Sequence, residues 1–142
     1  MRNKQARKEL EKRYGKGCFI EKLHLRKDDT PRVYKSKGQL KRMKQLTYHH
    51  ILEKSKGGRT SIENGAVLSR ENHTWFHQQP LESQAQINEI FQKYKAYIDE
   101  CKIEYVDNLK LPFEIRFTDF SIKEKKKEEP IIDKELEKEE ER

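Results

Sequence analysis

Cysteine is scarce in this chain: there are two in 142 residues, and Cys18 and Cys101 stand far apart in no pairing motif. That excludes a disulfide scaffold and predicts free thiols of the kind kept in a reducing compartment. Long apolar runs are missing too, none reaching half of the roughly 20 residues that a membrane span needs. Met1-Arg2-Asn3-Lys4 lacks the apolar stretch of a signal peptide. A soluble, cytoplasmic protein without a membrane partner is therefore expected. Hydrophobic residues are only 32% of the chain against 40% charged. Such a composition supports one small core with polar extensions and excludes a large enzyme scaffold. Acidic charge is what the first half lacks. Residues 1–60 carry 19 basic and 6 acidic residues, 61–120 carry 6 and 10, and 121–142 carry 7 and 9, so the net +7 arises entirely in the first segment. This concentration suits a polyanion such as nucleic acid or an anionic membrane surface, and also a plain solvated basic face.

What is present has a readable order. Ala6, Leu10 and Tyr14 recur at helical spacing from Asn3 to Tyr14, and Gly15 and Gly17 end that helix. Cys18–Leu25 has strand-like apolar content, and Lys27–Lys44 reads as a basic loop or disordered arm. Leu46–Leu52 is β-prone, Glu53–Thr60 is a loop in which Gly57 and Gly58 allow a tight reversal, and Ala66–Ser69 is a second short strand. Ser69 is placed to cap a helix from Arg70 to about Gln79, which Pro80 ends. A stronger helix follows from about Leu81 to Cys101, with Ile87, Ile90, Phe91, Tyr94, Ile98 and Cys101 on one stripe. Phe113, Ile115 and Phe117 alternate with polar residues like an edge strand, and Lys123–Arg142 is a Lys/Glu tract that cannot bury a core of its own.

Four of the five histidines lie within 29 residues: His49 and His50 end the first β-run, and His73 and His77 sit on the helix. Residues four apart on a helix point the same way, so His73 and His77 can aim at one point. Either pair alone is better read as a solvated or core imidazole. Together they bracket a β-turn-β-helix unit that includes Gly57-Gly58 and Asn64-Gly65, with imidazoles entering from both ends. Such a unit can converge on one metal ion, leaving positions open for water and substrate.

His49-His50, Gly57-Gly58, Asn64 and His73-x3-His77, in this order and spacing, resemble the HNH nucleases with the ββα-metal motif. The HH…GG…N…H-x3-H form is most similar to the bacterial toxin DNases called colicins, and the surrounding frame is similar to small phage HNH endonucleases. The resemblance covers about residues 46–80. It implies an α+β fold: a small ββα-metal core with flanking helices and a charged, poorly cored C-terminal tail. It further implies that His50 is the general base, that His49, His73 and His77 bind the catalytic metal, and that Asn64 clamps the loop and helps orient the base. Phosphodiester hydrolysis needs those types: a base for the attacking water and positive charge where negative charge gathers. An imidazole can be neutral and basic at cytosolic pH. The implied cofactor is one divalent ion, Zn, Ni, Co, Mn or Mg, and the family's products carry 5′-phosphate and 3′-hydroxyl ends.

Many HNH proteins add a structural zinc held by two C-x2-C pairs. Here those positions read Cys18-x2-Glu21 and Ser69-x2-Asn72, so no structural zinc is expected. The fold must instead rest on apolar contacts from Ile51, Val67, Leu68, Trp75, Phe76 and the last long helix. Lys35, Lys37, Lys41, Arg42 and Lys44 are candidate phosphate contacts, and Arg59 and Arg70 candidate clamps nearer the site. The expected organisation is a basic helix and arm over 1–45, a nuclease core and following helix over 46–101, an extended wrap or edge strand over 102–122, and a disordered or solvated tail over 123–142. The reading is a metal-dependent DNA endonuclease, phage or mobile-element encoded, working beside phage packaging or replication proteins. Its rival is a catalytically silent nucleic-acid-binding accessory protein of the same shape.

Overall fold

The computed structural model describes residues 1–27, 32–101, 111–116 and 118–124. In chain order the elements are α1 (Asn3–Tyr14), α2 (Phe19–Lys22), α3 (Lys37–Met43), β1 (Leu46–His50), a 3-10 turn at Lys54–Lys56, β2 (Gly65–Ser69), α4 (Arg70–Gln78), α5 (Leu81–Cys101), β3 (Phe113–Ile115) and β4 (Ile122–Glu124). The fold is mixed α+β, as expected. β1 and β2 pair antiparallel, with Leu46 opposite Ser69 and His50 opposite Gly65. α4 follows β2 without a loop, and Ser69 caps it by accepting from the Asn72 backbone N–H at 3.3 Å.

All of β2 is buried, because α1, α2 and α4 pack against it. α1 contributes Ala6, Leu10 and Tyr14 to the core, and α5 contributes Ile87, Ile90, Phe91, Tyr94 and Ile98. Edge-to-face rings join the two helices through α2: Phe19 lies 6.2 Å from Tyr14, 5.8 Å from Phe91 and 5.3 Å from Tyr94. At Gly65 α1 crosses so closely that a Cβ would stand 2.7 Å from Leu10 Cδ1 and 2.4 Å from Tyr48 Cε2. Glycine is what admits the helix there. Lys95 is buried at 3% exposure, and its ammonium donates to the carbonyls of Ile62, Glu63 and Gly65. It thereby ties α5 to the turn that enters β2.

Three local expectations are corrected. Cys18–Leu25 is no strand: Phe19, Ile20 and Leu23 are buried at helical spacing, with α2 at their centre. The basic arm is not wholly irregular, since Ser36 Oγ accepts from Gln39 N at 3.1 Å and caps α3. The edge strand expected from Phe113 is present as β3, and it is the tail boundary that shifts, because its partner β4 takes in Lys123 and Glu124. The rest of the charged tail, residues 125–142, lies outside the described residues, as do 102–110 and Phe117.

Cys18, Glu21, Ser69 and Asn72 meet through Asn72. The Asn72 amide donates to Cys18 Sγ at 3.5 Å and Glu21 Oε1 at 3.4 Å, and its backbone is bonded to Ser69. Hydrogen bonds among these side chains join α2 to the start of α4. Beside them Val67, Leu68 and Phe76 are fully in the core, with Ile51 and Trp75 packed on its edge.

Candidate metal centre

Strand alternation divides the histidine doublet. Thr47 and His49 face α4, whereas His50 turns with Tyr48 to the other side, ring centroids 4.7 Å apart. On α4, His73 and His77 are one turn apart and stacked at 5.0 Å. One nitrogen from each of His49, His73 and His77 lies within 4.8 Å of the others, close enough to hold one metal ion. His49 is buried, His73 half-buried and His77 exposed, so the group runs from the core to the surface.

Neighbouring bonds settle which nitrogens are free. Asn88 on α5 donates from Nδ2 to the Ile51 carbonyl at 3.3 Å, which leaves its Oδ1 to accept from His49 Nε2 at 2.8 Å. His49 Nε2 therefore carries the proton and Nδ1 the lone pair. The Thr47 hydroxyl donates to the Leu68 carbonyl at 2.8 Å, so toward His73 Nδ1, 3.0 Å away, it accepts. His73 is thus protonated on Nδ1 and bears its lone pair on Nε2. Those two lone pairs face each other, His49 Nδ1 to His73 Nε2, at 3.3 Å. No proton lies between them in this arrangement; a cation would resolve the repulsion. Nitrogens at roughly 2.0–2.1 Å from one tetrahedral ion sit about 3.3–3.4 Å apart, so the His49–His73 spacing fits a shared transition-metal ion, with the His77 nitrogen within 4.8 Å of both.

Electrostatics agree with neutral ligands. Burial pushes the His49 imidazole down to about 3, opposed by the Asn88 bond and reinforced by the other imidazoles. Burial, with the charges of His77 and His50, pushes His73 down to about 4. Both are ready to bind a cation near neutral pH without first losing a proton.

The group opens into a cleft of about 370 Å³, lined also by His50, Leu52, Glu53, Lys54, Lys56, Leu81 and Gln84. His50 Nε2 lies 2.9 Å from Thr60 Oγ1, and the Thr60 hydroxyl donates to Asn3 Oδ1 at 3.1 Å. Thr60 consequently accepts from Nε2–H, leaving His50 Nδ1 as the basic nitrogen. Burial, helped by the charge of Lys54, lowers the His50 pKa. Asn64 closes the intervening loop: it accepts from Leu52 N–H at 2.7 Å and donates to the carbonyls of Leu52 at 3.0 Å and Arg59 at 2.9 Å.

The candidate basic residues separate. Lys35, Lys37, Lys41 and Arg42 are exposed on or beside α3, and Arg59 is exposed in the loop. Arg70 donates to Gln45 Oε1 at 3.1 Å. Lys44, itself 45% exposed, reaches Glu71 at 2.8 Å and Glu21 at 3.6 Å, an ion pair that raises its pKa chiefly through the Glu71 bond. Glu71 also binds Arg32 at 2.8 Å and Tyr34 at 2.5 Å, so it latches the arm onto α4.

Five site residues escape a motif reading: Asn88, Thr47, Thr60, Lys54 and Lys56. Thr47 carried a signal, since it shares a strand face with His49. Gln84 and Asn88 are four apart beside the α5 stripe, a polar seam on an otherwise apolar approach. Lys54 and Lys56 sit in a loop whose direction no periodicity specifies. Compared with protein-family models, with curated proteins and with solved structures, the chain matches none.

Proposed function

We propose that this protein is a metal-dependent endonuclease of the HNH type that hydrolyses DNA phosphodiester bonds in the host cytosol. The observation that carries the reading is the pair of lone pairs on His49 and His73, facing at 3.3 Å in a cleft that also holds His77 and His50. His49, His73 and His77 would hold a divalent ion, and three imidazoles favour Zn, Ni, Co or Mn over Mg in affinity. Such an ion, when bound, supplies Lewis-acid stabilisation of the phosphate and the leaving 3′-oxygen. His50 Nδ1 takes the proton of the attacking water, while Thr60 holds Nε2 and so leaves Nδ1 as the basic nitrogen. Asn64 keeps the loop after His50 closed, and Lys54 and Lys56 on the cleft lining set positive charge beside the site. Lys35, Lys37, Lys41 and Arg42 extend that charge along α3 for further phosphates. Among the described residues no helix is long and apolar enough to cross a membrane, which is compatible with the cytosolic setting.

The test is incubation with supercoiled plasmid across Mg²⁺, Mn²⁺, Ni²⁺ and Zn²⁺. Nicked or linear product with 5′-phosphate ends is expected from the wild type, and about two to four orders of magnitude less from His50→Ala, with metal and DNA binding retained. Plasmid left intact under every metal, despite binding of DNA and ion, would instead identify a silent binding protein.

A further inference from the structure

α1 carries more positive charge than its packing uses. Ala6, Leu10 and Tyr14, four residues apart, are its buried stripe. Lys4, Lys8 and Lys12, displaced from them by two residues or about 200°, lie on the opposite side and are exposed. Lys16 continues the row past Gly15 and is exposed as well. Other cations of the helix are answered: Arg7 meets Glu11 at 3.2 Å and Arg13 meets Asp99 at 3.0 Å. Among the described residues Lys4, Lys8 and Lys16 meet no acid, and Lys12 reaches only the surface carboxylate of Glu9, at 3.6 Å. The row works against the helix that bears it. Like charges at i, i+4 repel, and Lys4 stands in a first turn without an acid, at the end of the helix dipole that disfavours cations. A polyanion laid along the row turns both effects into attraction.

Strand register places this row relative to the metal centre. Gly65 pairs with His50, so the two share a sheet face, and the crowding of Gly65 by Leu10 and Tyr48 puts α1 on that face. α4, with His73 and His77, covers the other face, that of Thr47 and His49, and α3 packs against α4. The lysine row therefore looks away from the sheet on the side opposite α3. Its helix is fixed at both ends: Thr60 donates to Asn3 Oδ1 at 3.1 Å, and the Tyr14 hydroxyl donates to Asp99 at 3.0 Å.

We infer that the outer face of α1 is a second phosphate-binding surface, which holds the backbone of a separate duplex, so that one chain bridges two duplex segments. The inference goes beyond the reading above and does not need cleavage at the histidine group. Lys4 to Lys12 span about 12 Å of helix, a length over which duplex DNA presents roughly seven phosphate charges. No large apolar side chain of α1 is exposed. A lipid-binding helix lays its apolar face into the acyl boundary, and that face of α1 is already in the core. Protein interfaces are anchored by aromatic or aliphatic side chains and single strands by stacking on rings, and the row offers neither. Its ammonium groups meet phosphates as point charges, so no base sequence is read.

The test uses the full chain in EDTA with duplexes of about 12 base pairs, one population bearing a donor dye and the other an acceptor. The wild type should bind two duplexes per chain at low salt and give energy transfer between them. Affinity for the second should fall with a log–log salt slope of about three. Lys4→Gln/Lys8→Gln/Lys12→Gln should bind one duplex, lose the energy transfer and melt no lower than wild type, because it relieves repulsion on an exposed face. Lys4→Arg/Lys8→Arg/Lys12→Arg should keep both duplexes. One duplex per wild-type chain, or energy transfer that survives in the Gln variant, overturns the inference. So does co-sedimentation with phosphatidylserine vesicles that the three lysines govern while duplex stoichiometry ignores them. Two duplexes bound with plasmid left whole under every metal sinks the nuclease reading alone, and plasmid cut by a wild type that binds one duplex sinks this one alone.

Discussion

Two uncharged side chains, Asn88 and Thr47, decide the chemistry of the two imidazoles they touch. Without Asn88, His49 is free to place its proton on either ring nitrogen, and the facing lone pair is no longer guaranteed. Asn88→Ala should weaken Zn²⁺ or Ni²⁺ binding by roughly 10–100-fold in calorimetry. Asn88→Asp, which keeps the acceptor, should bind at least as well as wild type. Long-range proton–nitrogen correlation spectra of the metal-free protein report the tautomer directly: a pure Nε2–H form of His49 in the wild type and a mixture in Asn88→Ala. The same rings set an acid limit. His49 and His73 have folded pKa values of about 3 and about 4, below the unfolded value near 6.5, so the unfolded chain binds more protons throughout that interval. The stability they confer is fully present above pH 6.5 and is lost as pH falls toward 4. Denaturant titrations in EDTA should show a loss of at most about 2 kcal/mol per imidazole between pH 7 and pH 5. A flat profile over that range would contradict the buried neutral pair.

At the scale of an element, the loop between β1 and β2 is the part that orders the site, and its two glycines do different work. Gly57 has φ +91° with open space around it, whereas a Cβ on Gly58 would stand 1.8 Å from the Leu52 carbonyl oxygen and 2.9 Å from that of Glu53. Gly57→Ala should thus cost only about 1 kcal/mol of strain. Gly58→Ala meets backbone that cannot yield locally, so the loop must reopen. Loss of plasmid cleavage and about 1–3 kcal/mol of stability are expected for Gly58→Ala, with far smaller changes for Gly57→Ala. Equal effects would place the requirement in backbone angle rather than in space. The hairpin and α4 were legible from Leu46 to Gln78 because alternation, paired glycines and the Ser69 cap all agree. α2 was not: four residues give too short a period to separate helix from strand, and the choice was made by Phe19 packing between Tyr14, Phe91 and Tyr94.

For the whole molecule, charge is divided between structure and surface. The excess of basic residues before position 60 is visible in composition, but only tertiary contacts sort it. Lys44 and Arg32 are committed to Glu71, while Lys37, Lys41 and Arg42 face solvent on α3. Replacing those three with Gln should weaken binding to all DNA sequences alike and lower the salt slope by about two to three. Lys44→Gln should leave the slope nearly unchanged and lower the melting temperature, because it removes one partner from a buried carboxylate. If Lys44→Gln changed the slope as much as an α3 lysine does, the ion pair with Glu71 would not survive DNA binding.

The amino-acid order alone determined the hairpin-helix unit, the stripe of α5 and the set of histidines that could share an ion. These follow from periods of two and 3.6 residues and from glycine and cap positions, which are local properties of the backbone. Tertiary structure alone decided that α1 belongs to the core over Gly65, that Lys44 pairs with the buried Glu71, and that Asn88, 39 residues from His49, sets its tautomer. Each of these depends on which side chain arrives across space to meet a buried polar or crowded atom. No spacing along the chain encodes that meeting, because it is set by how α1 and α5 close on the same pair of strands.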